Sequence, residues 1–134
     1  MAIARRSEGV DGTDENDVVA LTFPALPQYL RLARMAAADT GARAGFSVEE
    51  LEDLRIAVDE LTYAIISEPP TPAEVTVRYT AAPGVVEVFG ACHAPGEAAL
   101  SGLARTILRA VVDEYDVAAD GESRTFYVTK RRHA

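Results

Sequence analysis

Two short stretches of this 134-residue chain carry side chains that could do chemistry, Asp59-Glu60 and Cys92-His93. A carboxylate can serve as a general base, but Asp59 and Glu60 are adjacent, and successive side chains on a helix point about 100° apart. They cannot share one proton or one metal ion as a pair. Glu60 has Ile56 and Ala64 four residues to either side, so no charged partner lies on its own helical face. His93 could act as a base towards Cys92, yet neighbouring side chains in an extended segment diverge and do not form a dyad. His93 therefore reads as a surface histidine. Cys92 is the sole cysteine, which excludes an internal disulfide and a cysteine zinc cluster, and it reads as a small buried residue. The run Lys130-Arg131-Arg132-His133 is the one basic cluster and reads as a solvated tail.

The rest of the composition narrows the function classes. The formal net charge is −8. A surface of that sign repels phosphate backbones and anionic lipid, so direct nucleic-acid or membrane partners are not expected and a protein partner is. Apolar residues make up 49%, enough for one sizeable core. No run approaches the ~20 apolar residues of a membrane span, and the first residues lack the apolar core of a signal peptide. A reducing, cytoplasmic location is the expectation.

The elements that must position these residues follow from pattern. Residues 1–17 are polar and acidic and read as a disordered tail. Residues 18–131 read as one domain and 132–134 as a basic tail. Val18 to Phe23 is rich in strand formers and ends at Pro24, which suits a sheet edge. A helix is expected over 27–42, with Leu26, Leu30, Ala33 and Ala37 on one stripe. Ser47 and Glu50 have capping-box spacing, and Phe46 and Leu51 can staple the start of a second helix. Leu51, Leu54, Val58, Leu61 and Ile65 then mark its buried face. Pro69, Pro70 and Pro72 stop it. Residues 74–79 and 85–89 alternate as a hairpin around Pro83-Gly84. Residues 90–97 read as a loop. A third helix is expected over 98–112, with Leu100, Leu103, Ile107 and Val111 inward. Residues 115–117 and 125–129 are the closing strands, joined by an Asp120-Gly121 turn. The order β-α-α-β-β-α-β-β predicts an α+β, two-layer sandwich: one mixed or antiparallel sheet with helices on one face.

Leu21-Thr22-Phe23-Pro24-Ala25, the segment Ala44 to Leu61 with its Ala57-Val58-Asp59-Glu60, Leu103 to Val117, and Thr125 to Arg131 together resemble the anti-sigma-factor serine-kinase branch of the gyrase, histidine-kinase and MutL superfamily of ATPases, in a degenerate, actinobacterial-type form. The resemblance covers roughly Val18 to Arg131. It implies a histidine-kinase-like ATPase fold with nucleotide held between helices and sheet. It also implies binding to a sigma factor and, in active members, phosphorylation of an antagonist protein on serine.

Carried over residue by residue, the resemblance makes Glu60 the catalytic candidate. Active members place a magnesium-holding asparagine four residues later; here that position is Ala64, preceded by Tyr63, and neither offers a hard oxygen ligand of the kind Mg²⁺ requires, since Tyr63 would have to ionise to serve. The aspartate-x-glycine-x-glycine motif that reads adenine falls on Val88 to Gly96, which contains Gly90 and Gly96 but no aspartate. The glycine-rich phosphate turn is reduced to Ser101-Gly102-Leu103-Ala104. The nucleotide-binding positions are thus Glu60, Ala64, Gly90 and Gly102, which stand in otherwise degenerate motifs. The expectation is a regulator that binds a sigma factor or an anti-sigma-factor antagonist, with impaired or absent ATP binding and no metal or other cofactor; ATP and Mg²⁺ enter only if the site works. The alternative is an active ATP-dependent serine protein kinase of a partner-switching pathway. A third reading is a dimerisation partner of a competent paralogue, and a homodimer is compatible with each. Arg31 and Arg34 on the first helix are the contact candidates that the resemblance implies.

Overall fold

A computed structural model describes residues 17–66 and 73–133 of the chain. Strand β1 (Asp17–Pro24) leads through a 3₁₀ turn (Pro27–Tyr29) into α1 (Leu30–Arg43) and α2 (Val48–Ile65). The hairpin β2 (Glu74–Ala82) and β3 (Val85–Cys92) follows, then α3 (Gly102–Val111), β4 (Glu114–Ala119) and β5 (Arg124–Arg131). The five strands form one sheet in the order β1-β2-β3-β5-β4, antiparallel at every step. The expected α+β sandwich is therefore present with a purely antiparallel sheet, and β1 is an edge strand, where Pro24 costs no ladder bond. β1 begins at Asp17, which pairs with Ala81. The remainder of the expected tail and the proline stop at 69–72 lie outside the described residues.

Local chemistry explains the helix starts. The Ser47 hydroxyl accepts from the Glu50 N–H at 3.1 Å, and the Glu50 carboxylate accepts from the Ser47 N–H at 2.8 Å, closing the capping box. From there Leu54, Val58, Leu61 and Ile65 are fully buried. They pack on the inner sheet face with Val75, Val77, Val86, Val88, Phe126 and Val128. Burial of each such side chain stabilises the fold by roughly 1.5–3 kcal/mol before entropy is counted. Tyr79, also buried, donates its hydroxyl to the Ala33 carbonyl of α1 at 2.9 Å and so ties that helix to β2. An ion pair of 2.7 Å between Arg34 and Asp59 links α1 to α2.

Five expectations are corrected. Residues 90–92 are not loop but the end of β3, because Gly90, Ala91 and Cys92 pair with Phe126, Thr125 and Arg124 of β5. Gly90 is required there: a Cβ would lie 2.2 Å from the Phe126 ring. The third helix starts at Gly102, where the Ser101 hydroxyl caps the Ala104 N–H at 3.0 Å. Its buried line is Ala104 and Leu108, so Leu103, one residue and about 100° away, is 71% exposed. Leu26 precedes the helix and is also exposed. Finally, Lys130 is not in a solvated tail. Phe126, Val128 and Lys130 are alternate positions of β5 and all face inward, and Lys130 is only 4% exposed. Its Nζ donates to the Val111 carbonyl at 2.7 Å, the end of α3 where a helix favours a cation, with an Asp53 carboxylate oxygen 3.8 Å away. Beyond it Arg132 N–H donates to the Gly84 carbonyl and His133 N–H to Glu50, each at 2.8 Å.

These contacts set measurable stabilities. Tyr79→Phe should cost about 1 kcal/mol in chemical denaturation at neutral pH. Burial pushes the Tyr79 phenol above its ordinary value, so its contribution is intact below about pH 10 and is lost as pH rises beyond it; the variant should show less of that alkaline loss. Gly90→Ala should cost about 1–3 kcal/mol, and adding Phe126→Leu should recover part of it, read as a double-mutant cycle. The His133 and Ser47 N–H groups hold the Glu50 carboxyl below its usual range. That stability is present above about pH 4 and is lost as pH falls through the lowered value. An acid titration of Glu50→Gln should therefore be flatter than that of the parent.

Candidate functional site

The four positions picked out in the sequence fall on three elements. Glu60 and Ala64 stand one turn apart on α2, both half-buried. Gly90 lies on the inner face of β3, and Gly102 opens α3 with nothing within 4 Å of where its Cβ would be. The Glu60 side chain makes no hydrogen bond or ion pair with another described residue. Asp59 is occupied by Arg34, each side chain about a third exposed. The two acidic neighbours therefore have separate roles: Asp59 braces the helix pair and Glu60 faces partly outward. Tyr63 is 60% exposed.

Around Gly90 the space is filled rather than open. Phe126 is 1% exposed, and its ring occupies the room beside the glycine that a larger residue would need. Cys92 is fully buried, as expected, and the Arg124 guanidinium donates to its sulfur at 3.2 Å. Arg124 is itself only 2% exposed, a cation whose one hydrogen-bond partner among the described residues is a weak acceptor. Gly96, at φ +141°, passes over it, and a Cβ there would lie 3.1 Å from the guanidinium. His93 is exposed on the loop that follows, whereas the adjacent Cys92 is buried. Position 64 presents a methyl group, and the stretch Val88 to Gly96 presents no carboxylate. These residues do not supply the oxygens that the resemblance requires for magnesium and adenine. No group of three or more His, Cys, Asp or Glu side chains among the described residues could hold a metal ion.

Phe126, Arg124 and Lys130 were not singled out from the sequence as shaping this region. Alternation in β5 places them on one face, but only the pairing with β3 sets Phe126 against Gly90 and Arg124 against Cys92. The same holds for a cleft of about 360 Å³ between the start of α2 and the end of α3, where Glu49, Glu50, Asp53 and Asp113 surround Lys130 and His133. Of the two arginines on the first helix, Arg31 is exposed, whereas Arg34 is held by Asp59. Arg31 shares the outer face of α1 with two exposed apolar residues, Leu32 and Met35. No described helix is long and apolar enough to cross a membrane.

No protein-family profile matches the chain. Individual proteins do. A serine-protein kinase RsbW of Listeria monocytogenes (serotype 4a, strain HCC23) is 39% identical over 69 residues, 48% of this chain and 43% of that protein. A serine-protein kinase RsbW of Bacillus pumilus (strain SAFR-032) is 25% identical over 129 residues, 78% of this chain and 80% of that protein. The Listeria match spans less than half of its relative's length. In three dimensions the chain superposes on the crystal structure of the RsbU and RsbW domains of Rv1364c from Mycobacterium tuberculosis. The TM-score is 0.67 at 18% identity, covering 86% of this chain and 32% of that one. By sequence and by fold alike, the chain resembles the RsbW-like serine-protein kinases, a branch of the ATPases with the histidine-kinase-like fold.

Proposed function

We propose that this chain is an RsbW-like regulatory domain that works by binding a protein, a sigma factor or an anti-sigma-factor antagonist, with ATP binding impaired or absent. The observation that carries the nucleotide half of this reading is the Phe126 ring seated against Gly90. The adenine-reading stretch has no carboxylate, and a buried ring stands next to its first glycine. Ala64 adds the loss of a magnesium ligand, and the single Gly102 the loss of a phosphate-hugging turn. Three lost contacts at about 1–3 kcal/mol each weaken binding by at least roughly a hundredfold. Such losses leave a protein-binding face untouched, because fold and site are separable.

The partner half rests on α1. Arg31, Leu32 and Met35 present a cation beside exposed apolar area, the mix that anchors protein interfaces. The acidic remainder of the surface disfavours nucleic acid and anionic lipid, and a sigma-factor partner places the protein in the cytoplasm. The second reading, an active serine kinase, is favoured by the relatives, which are serine-protein kinases, and by Glu60, which remains in place and partly exposed. In that reading Glu60 would accept the proton of the attacking hydroxyl.

The two readings part on nucleotide. An ATP analogue with Mg²⁺ at 100 times its dissociation constant stabilises a protein by about 2.7 kcal/mol, a shift of several degrees in Tm. We expect no shift at millimolar analogue. A shift that Glu60→Ala abolishes, with transfer of phosphate to an antagonist serine, would reinstate the kinase. Arg31→Glu should weaken capture of a purified sigma factor or antagonist about tenfold or more without moving Tm; unchanged capture would remove α1 as the contact face.

A further inference from the structure

The cleft between the start of α2 and the end of α3 is one end of a longer groove. Glu49 and Asp53 of α2 line it together with Ala110 of α3, which fixes the flank that each helix turns towards the other. Helical periodicity names the rest of each wall. On α2, Glu60 follows Asp53 by seven residues, about two turns and 10.5 Å along the axis, within about 20° of the same line. On α3, Leu103 precedes Ala110 by the same two turns, and Ile107 lies between them. The first turn of α2 and the last turn of α3 meet at the cleft. The helices therefore run in opposite senses, which brings Glu60 level with Leu103.

The two walls differ in chemistry. The α2 wall is acidic, with Glu49 exposed and Asp53 and Glu60 half-buried. The α3 wall is apolar: Leu103 is 71% exposed, Ile107 is half-buried and Ala110 is exposed. Arg105 and Arg109 follow Leu103 and Ile107 by two residues each, about 200° round the helix, so neither neutralises the acidic wall. Lys130, at the cleft end, already donates to the Val111 carbonyl and stands 3.8 Å from Asp53.

We propose that this groove docks an amphipathic helix of a partner protein. Its apolar side chains lie against Leu103, Ile107 and Ala110, and its arginine or lysine side chains reach Glu60, Asp53 and Glu49. Asp53 and Glu60 are two turns apart, so cations seven residues apart on one helix meet both. The apolar wall has the same span, which suits anchors at i, i+3 or i+4, and i+7. Two antiparallel helices leave between them a channel along which a third can pack. The carboxylates repel phosphate, and the proposal rests on the reading above that ATP binding here is impaired or absent. α1 braces the other flank of α2 through Arg34 and Asp59, so the groove is a contact surface separate from Arg31.

Fluorescence anisotropy with a labelled synthetic helix of about five turns tests it. The probe carries leucines and alanines along one stripe and arginines seven residues apart on its flank. The parent should bind it at micromolar concentration, and less tightly as salt is raised. A twin with glutamates in place of the arginines should not bind. Glu60→Lys and Leu103→Asp should each weaken binding about tenfold or more. These two variants alter different walls, so one still reports should the other melt early. Asp116→Lys makes the same charge change at an exposed position on the far face of the sheet and should leave binding unaltered. No binding at hundreds of micromolar overturns the proposal. So does indifference to both groove substitutions, or an equal loss with Asp116→Lys, which would reduce the effect to net charge. Self-association that Leu103→Asp abolishes, without peptide binding, would give the groove to a second copy and overturn it too. The ATP analogue separates this proposal from the reading beneath it. No Tm shift and no peptide binding defeats the docking groove alone. A Tm shift defeats the loss of ATP binding, and the groove with it if the analogue displaces the peptide.

Discussion

The antiparallel pairing of β3 with β5 brings together two stretches of chain that are far apart in sequence, and the rest of the molecule is arranged around that seam. It welds the β2–β3 hairpin to the C-terminal β4–β5 pair and so completes the sheet. Its register has opposite consequences on the two faces. Inward, it sets Phe126 against Gly90 and Arg124 against Cys92. Outward, it sets Tyr127 beside Phe89. A shift of one residue would exchange the two faces, moving Lys130 to solvent and Arg131 inward. The seam therefore decides both what the helix side can bind and what the open side displays.

The helix layer is held to this sheet by a few polar contacts set in a larger apolar one. Tyr79 fixes α1 to β2, Arg34 fixes α1 to α2, and Lys130 fixes the end of α3 to β5. The apolar contacts supply most of the free energy, but they are not directional. The polar ones select an orientation, because a buried donor without its acceptor costs about 1–3 kcal/mol. Arg124 stands apart from that pattern, with a thiol where a carboxylate or carbonyl would be the ordinary partner.

Charge is distributed unevenly over the chain. The net charge of −8 is carried largely by exposed carboxylates, while the basic run at the C-terminus is drawn into the fold. Lys130 is buried, Arg132 reaches the hairpin turn, and His133 meets the carboxylate that caps α2. Of the run that looks like a solvated tail in the sequence, Lys130 is an internal cation, whereas Arg132 and His133 stay exposed and are anchored through their backbone N–H groups. They close the C-terminal strand over the start of α2.

The sequence by itself determined whatever depends on neighbours along the chain. The Ser47-Glu50 cap, the Leu54-to-Ile65 stripe, the alternating hairpin and the Asp120-Gly121 turn were all legible, because each rests on groups within a few residues of one another. The order of elements followed, and with it the layered fold and the edge position of β1. The absence of an adenine-reading carboxylate was also legible, since it is a matter of residue identity. Only the tertiary structure decided that β3 continues through Cys92, that Leu103 faces solvent, that Lys130 is buried, and that a phenyl ring stands beside Gly90. Each of these depends on the register between strands distant in sequence, or on which side of a helix meets the sheet. Periodicity shows that a face exists; the packing partner decides where it points.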